Sequence, residues 1–216
     1  MFAVANAVTH NEDGSLYKIE VDQRTGAFRD ETGVAFVFHG ANVVVKAPPY
    51  LPDYKGRFDP QMSLNKKDMD DLADWGFNVV RLGIIWEAVE TSPNVFNDTY
   101  LDEVETIIKR LAKRGIYTIL DSHQDLFSRT LCGVGVPVFY TPSWSELDHE
   151  CPWTSPVGSI FKLFHQCDSF SSYGVQNGAD GLPLLEECAK VNDEAMHTSP
   201  EIASAYEHLW ENKNGL

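Results

Sequence analysis

Positive charge is scarce in this 216-residue chain: 17 Lys and Arg stand against 32 Asp and Glu, for a formal net charge of -15. No basic run tracks along it, which excludes nucleic acid and anionic membrane surfaces as partners. Long apolar runs are missing as well. None approaches the roughly 20 residues of a spanning helix, so no transmembrane segment is expected. The opening "MFAVANAVTH" has no basic flank and is at most the remnant of a signal peptide. Cysteine is sparse, with Cys132, Cys151, Cys167 and Cys188 all in the second half at spacings that fit no zinc motif. No metal is expected. The pairing stays open: either two disulfides in a secretory compartment, or four buried thiols in a reducing one. Also lacking are the G-x-S-x-G elbow, the phosphate-binding G-x-x-x-x-G-K and a G-x-G-x-x-G opening a helix, so serine-hydrolase and nucleotide chemistry have no foothold, and no cofactor is expected.

What is present is apolar and aromatic bulk, 43% and 12% of the chain, enough for one sizeable core and one domain over residues 1–216. Turn signals at Arg24-Thr25-Gly26 and Glu31-Thr32-Gly33 predict a hairpin lead-in to an apolar strand from Val34 to Val45. A Pro-rich loop follows. Ser63 or Asn65 then caps a helix through "KKDMDDLADW", closed by Gly76. "FNVVRLGIIW" is a second buried strand. "NDTYLDEVETIIKRLAKRG" places Leu101, Val104, Ile107, Ile108 and Leu111 at helical spacing ahead of Gly115, and "YTILDSHQDLF" is a third strand. Strand, helix, strand, helix, strand is the signature of a parallel α/β sheet. Residues 128–156 read as a long irregular insertion, and "PVGSIFKLFHQCDSF", "LPLLEECAKVNDEAM" and "SPEIASAYEHLWEN" as helical.

The third strand is apolar at its start and polar at its end. Period-two alternation sends Asp121, His123 and Asp125 to one face. As metal ligands they would sit about 6.6 Å apart along the strand, too far for one ion to take all three. As an acid and base pair, Asp121 and Asp125 would be about 13 Å apart, beyond the roughly 5 to 9.5 Å of a two-carboxylate glycosidase. Groups that hydrogen-bond sugar hydroxyls face no such limit, and Trp86, Phe127 and Tyr140 could stack on sugar faces. A histidine satisfied in the core is the plainer alternative for His123. Arg81 interrupts the second strand on an inward face and needs partners, either an active-site carboxylate or a structural ion pair. Asn42 is expected as a hydrogen-bonding scaffold residue, and Gly40 as a point of close packing. Lys46, just past the first strand, is either turned toward a substrate or simply solvated.

The segments "FVFHGANVVVKAPPYLP", "LADWGFNVVRLGIIWEAVE", "YLDEVETIIKRLAKRGIYTILDSHQDLFS" and "GVGVP" together resemble the amino-terminal half of endoglycoceramidases and their relatives in glycoside hydrolase family five. The resemblance implies a (β/α)8 TIM barrel with its active site at the strand carboxyl ends, present here as the first three strands with their helices. It implies a glycosidase that cleaves O-glycosidic bonds with retention and releases the glycan from a glycosphingolipid. By the same resemblance Lys46, His123, Asp125 and Trp86 contact substrate, Arg81, Asn42 and Asp121 support the site, and the location is secreted or lysosomal. Such enzymes carry an acid/base glutamate in Asn-Glu-Pro at the end of strand four and a nucleophilic glutamate ending strand seven. Asn-Glu occurs here only as Asn11-Glu12, ahead of the first barrel strand. The expectation is therefore an inactive truncated chain lacking both catalytic glutamates. The alternative is a non-catalytic protein that binds glycan or glycolipid, or completes a barrel with another chain.

Overall fold

The computed structural model describes residues 10–150, 168–191 and 196–213. The chain divides into two compact units, one of Met1–Ile84 with Asp98–Asp121, the other of Ile85–Asn97 with Ser122–Leu216.

The first unit opens with the predicted hairpin: β1 (Ile19–Val21) pairs antiparallel with β2 (Phe28–Asp30), its turns made by Gly26 and Gly33 at positive φ. The next strand, β3, is shorter than the sequence implies, covering Gly40–Val43 rather than residues 34–45. Its upstream part is claimed elsewhere. Ala35 bridges Arg29, the Phe36 N–H donates to Phe28 O, and the Asn78 side chain holds the backbone of Val37 and His39. Phe36 and Phe38 then pack edge-on against Tyr117 at 5.2 and 6.1 Å.

Helix α1 (Lys66–Asp74) begins where predicted, in a capping box: Asn65 accepts from the Lys67 and Asp68 N–H groups, and Asp68 accepts from the Asn65 N–H. Gly76 at φ +81° ends it. β4 (Val79–Ile84) runs parallel to β3, with Gly40 opposite Val79 and Asn42 opposite Arg81. A methyl on Gly40 would stand 1.7 Å from Val79 O, so this position takes glycine because two backbones meet. The amphipathic α3 (Asp98–Ala112) follows two short strands of the other unit and buries Tyr100, Val104, Ile107 and Leu111, a stripe at helical spacing. Arg114, beyond its end, reaches Asp70 of α1 at 2.6 Å. β7 (Tyr117–Ser122) completes a sheet of order β3-β4-β7. It is not the buried strand the sequence implies: Ile119 and Leu120 are 48% and 57% exposed, since β7 has a strand neighbour on one side only among the described residues.

The second unit contains α2 (Trp86–Val89), then β5 (Glu90–Ser92) and β6 (Val95–Phe96) as a bulged hairpin. Its later part holds α4 (Leu185–Cys188) and α5 (Pro200–Trp210), the latter capped by Ser199. Of the predicted helical stretches, the last is a full helix, and in "LPLLEECAKVNDEAM" Leu185–Cys188 is helical while residues 192–195 lie outside the described residues. Residues 156–167 of the first lie outside the described residues. Up to residue 150 the expected 128–156 insertion consists of short 3-10 turns and connecting segments, and it contributes to a core. Leu131, Val136 and Leu147 form one core with Leu126, Phe127, Phe170, Met196, Ile202 and Ala205, reinforced by a Cys132–Cys188 disulfide. Cys151 and Cys167 lie outside the described residues. Glu201, fully buried on α5, ties this unit together by accepting from the Phe170 N–H at 2.9 Å, from the Ser169 hydroxyl and from His149.

Candidate functional site

In the first unit, Arg81 is the third residue of β4 and lies in register with Asn42 of β3, so the two side chains share a face. The Arg81 guanidinium donates to Asp121 on β7 at 2.6 Å. The predicted pairing of Arg81 with a carboxylate is present, but the arginine is not buried: its side chain is 40% exposed, and Asp121's 18%. Asn42 is exposed on the same strand face, and Lys46 is exposed just beyond β3. Both supply donors at the carboxyl side of the sheet.

In the second unit the expected geometry of a regular strand through residue 127 fails. The strand ends at Ser122, and Leu126 and Phe127 adopt positive φ of 53° and 89°. The chain turns here because its backbone finds other partners: Asp125 exchanges both hydrogen bonds with Val134, and the Val136 N–H donates to Phe127 O. His123 and Asp125 therefore do not stand as separate rungs on a strand face. The His123 Nε2 lies 2.8 Å from the Asp125 carboxylate, with both side chains partly buried. A histidine held by a carboxylate has a fixed ring plane and presents its other nitrogen with a defined role, the arrangement needed to orient a hydroxyl.

The glycines of "CGVGVP" are explained by this turn. A Cβ on Gly133 would meet Asp125 O at 2.3 Å, and one on Gly135, already at φ +137°, would meet the Gln124 side chain at 2.7 Å. The same hairpin is clamped from α2, where the Glu87 N–H donates to Gly135 O and Arg129 forks onto the Glu87 carboxylate at 2.7 to 3.0 Å.

Trp86, the first residue of α2, is partly buried, and its Nε1–H donates to Glu90 at 2.7 Å. Tyr140 donates to the same carboxylate, and the Trp86 and Tyr140 rings lie 5.6 Å apart. Burial raises the Glu90 carboxyl, but hydrogen bonds from Trp86, the Asn94 backbone and Tyr140 outweigh it and hold it below the ordinary glutamate value. Glu201 is likewise lowered: burial is overcome by bonds from Phe170, Ser169 and His149. Neither has the raised pKa that a glycosidase's general acid requires. Phe127, a candidate stacking residue from sequence, is fully buried in the core and cannot meet a ligand. Among the described residues no three His, Cys, Asp or Glu side chains cluster as a metal site, and no helix is long and apolar enough to cross a membrane.

Sequence reasoning missed Glu87, Glu90 and Arg129. The four-residue step from Trp86 to Glu90 at a helix start was the one local signal. The Arg129–Glu87 pair spans 42 positions and left none.

A parallel β/α unit with apolar strands and polar groups gathered toward their carboxyl ends is the construction of an α/β barrel hydrolase. The family model for cellulase, glycosyl hydrolase family 5, matches residues 36–152, more than half of the chain. This chain belongs to glycosyl hydrolase family 5. It is 32% identical over 206 residues to an endoglycoceramidase of Cyanea nozakii, covering 95% of this chain and 37% of that protein. It is 31% identical over 198 residues to an endoglycoceramidase of Hydra vulgaris, covering 92% and 35%. The chain thus spans little more than a third of the length of these curated relatives. Among solved structures, endo-glycoceramidase II from Rhodococcus sp. in complex with ganglioside GM3 superimposes with a TM-score of 0.55 at 23% identity, covering 87% of this chain and 34% of that one. An endogalactoceramidase gives a TM-score of 0.54 at 23% identity, covering 93% and 38%. These two establish the fold, a partial family 5 barrel.

Proposed function

We propose that these 216 residues form the first, glycan-contacting part of an endoglycoceramidase-type glycosidase, one that releases an intact glycan from a glycosphingolipid with retention. One observation carries the reading. Polar side chains are held in ordered pairs, Arg81 on β4 with Asp121 on β7 in the first unit, and His123 with Asp125 in the turn after β7 in the second. Such pairs present donors and acceptors in fixed directions, which is what recognition of sugar hydroxyls demands. The glycan contacts we assign are Lys46 in the first unit and Trp86, His123 and Asp125 in the second; Arg81, Asn42 and Asp121 are supporting residues of the first unit's sheet.

The hydrolytic step requires one carboxyl to protonate the leaving oxygen and a second to attack the anomeric carbon. Residues 1–216 contain no Asn-Glu-Pro, and Asn-Glu occurs in them only as Asn11-Glu12, ahead of β1. These residues alone therefore bind glycan without cleaving it. The alternative, a non-catalytic glycan binder, rests on the same polar pairs, Arg81 with Asp121 and His123 with Asp125. The Cys132–Cys188 disulfide supports maturation in an oxidising compartment, hence a secreted or lysosomal protein. Assaying the purified chain with lactosylceramide tests the first point: bound lactosylceramide with no release of lactose is expected, and turnover abolished by mutating one of its own carboxylates overturns it. Sequencing the native transcript past Leu216 separates the readings, since a frame running into Asn-Glu-Pro supports the enzyme and a stop supports the binder.

A further inference from the structure

Glu90 is a carboxylate only 5% exposed, and the glycan chemistry above makes no use of it. Three donors converge on it: the Trp86 Nε1–H at 2.7 Å, the Asn94 backbone N–H at 2.7 Å and the Tyr140 hydroxyl at 2.8 Å. Leaving a carboxylate this deep is costly without such partners, so each donor is held firmly in return. Two of the three are the polar tips of aromatic rings. Trp86 stands four residues before Glu90 on α2, and Tyr140 comes from a distant turn, yet their rings meet at 5.6 Å with a tilt of 41°. Phe139 packs on Tyr140 at 4.6 Å. A tryptophan or tyrosine bonded at its tip keeps its ring plane, and both rings remain only partly buried.

We propose that Glu90 is a positioning residue that locks Trp86 and Tyr140 as a fixed aromatic pair for the apolar face of a sugar ring. This rests on the reading of Trp86 as a glycan contact. A sugar ring offers one C–H face and a rim of hydroxyls, so it gains from an aromatic surface whose orientation is set before it arrives. A purely structural Glu90, serving only to hold the Asn94 turn between β5 and β6, would leave sugar affinity untouched.

The test uses Glu90→Gln and Tyr140→Phe in the full-length protein, with two readouts. The first is tyrosinate absorbance on raising the pH. The hydrogen bond to Glu90 holds the Tyr140 phenol above its ordinary value, so in Glu90→Gln the phenol identified by the Tyr140→Phe difference ionises at lower pH. The second is lactose affinity by tryptophan fluorescence, expected to weaken about tenfold in Glu90→Gln and less in Tyr140→Phe. An unmoved phenol titration overturns the anchoring, and a moved titration with wild-type lactose affinity overturns the platform. Absence of lactose binding by the wild type overturns the glycan reading itself, while the titration still decides whether Glu90 holds Tyr140. If Glu90→Gln fails to fold, unchanged affinity in Tyr140→Phe overturns the proposal.

Discussion

The Arg81 guanidinium and the Asp121 carboxylate meet at 2.6 Å, tying β4 to β7 across a sheet in which Arg81 also sits opposite Asn42. The pair is too exposed to be a large source of stability. A double-mutant cycle of Arg81→Met and Asp121→Asn, read by urea unfolding, is predicted to give a coupling of about 1 kcal/mol or less. A coupling several times larger would mean that the pair is buried in the intact protein.

The close approaches of backbone rank the glycines. Gly133→Ala pushes a methyl toward Asp125 O, whereas a methyl added at Gly174, where φ is +65°, would meet nothing within 4 Å. Unfolding midpoints should show Gly174→Ala costing about 1 kcal/mol through backbone strain alone. Gly133→Ala should cost about 2–3 kcal/mol and should also disturb the NMR signals of His123 and Asp125. Equal losses for the two would contradict the packing described.

The Cys132–Cys188 bridge closes a loop with a sequence separation of 56. Reduction, or Cys188→Ser, is predicted to lower stability by about 2–4 kcal/mol, measured as the shift in thermal unfolding with and without reductant. No shift would mean that the bridge is absent from the native protein.

Acid should weaken the second unit. Glu90 and Glu201 have folded-state pKa values held below the ordinary 4.5, so they bind protons less readily folded than unfolded. Their contribution is therefore complete above about pH 4.5 and is lost as the pH falls through the lowered folded values. Urea midpoints followed from neutral pH downward should stay level and then drop, and Glu201→Gln should flatten that drop. A decline beginning near neutrality would assign it to other groups.

Much of the first unit was legible in the chain itself. Asn65 and Gly76 marked both ends of α1, and the Val104, Ile107, Leu111 stripe gave α3 its buried face. Local chemistry decides such features. What could not be read locally was where strands stop. Val34 to His39 leave the sheet for the lead-in hairpin, and residues 123–127 turn to pair with a segment near Val134. Both outcomes depend on which distant backbone offers the better partner. The candidate site divides the same way: Arg81, Asp121, His123 and Asp125 stood out as polar residues in apolar strands, whereas Glu90 and Arg129 take their meaning from partners up to 50 residues away.

These residues are proposed to belong to an enzyme that removes whole glycans from ceramide. The most direct test expresses the complete reading frame containing residues 1–216 and incubates it with lactosylceramide, beside His123→Ala of matched urea midpoint. Release of intact lactose by the wild type, reduced at least about tenfold in His123→Ala, is the predicted result. Release of glucose or galactose alone, or an equal rate in His123→Ala, would rule out that activity or the role of His123 in it.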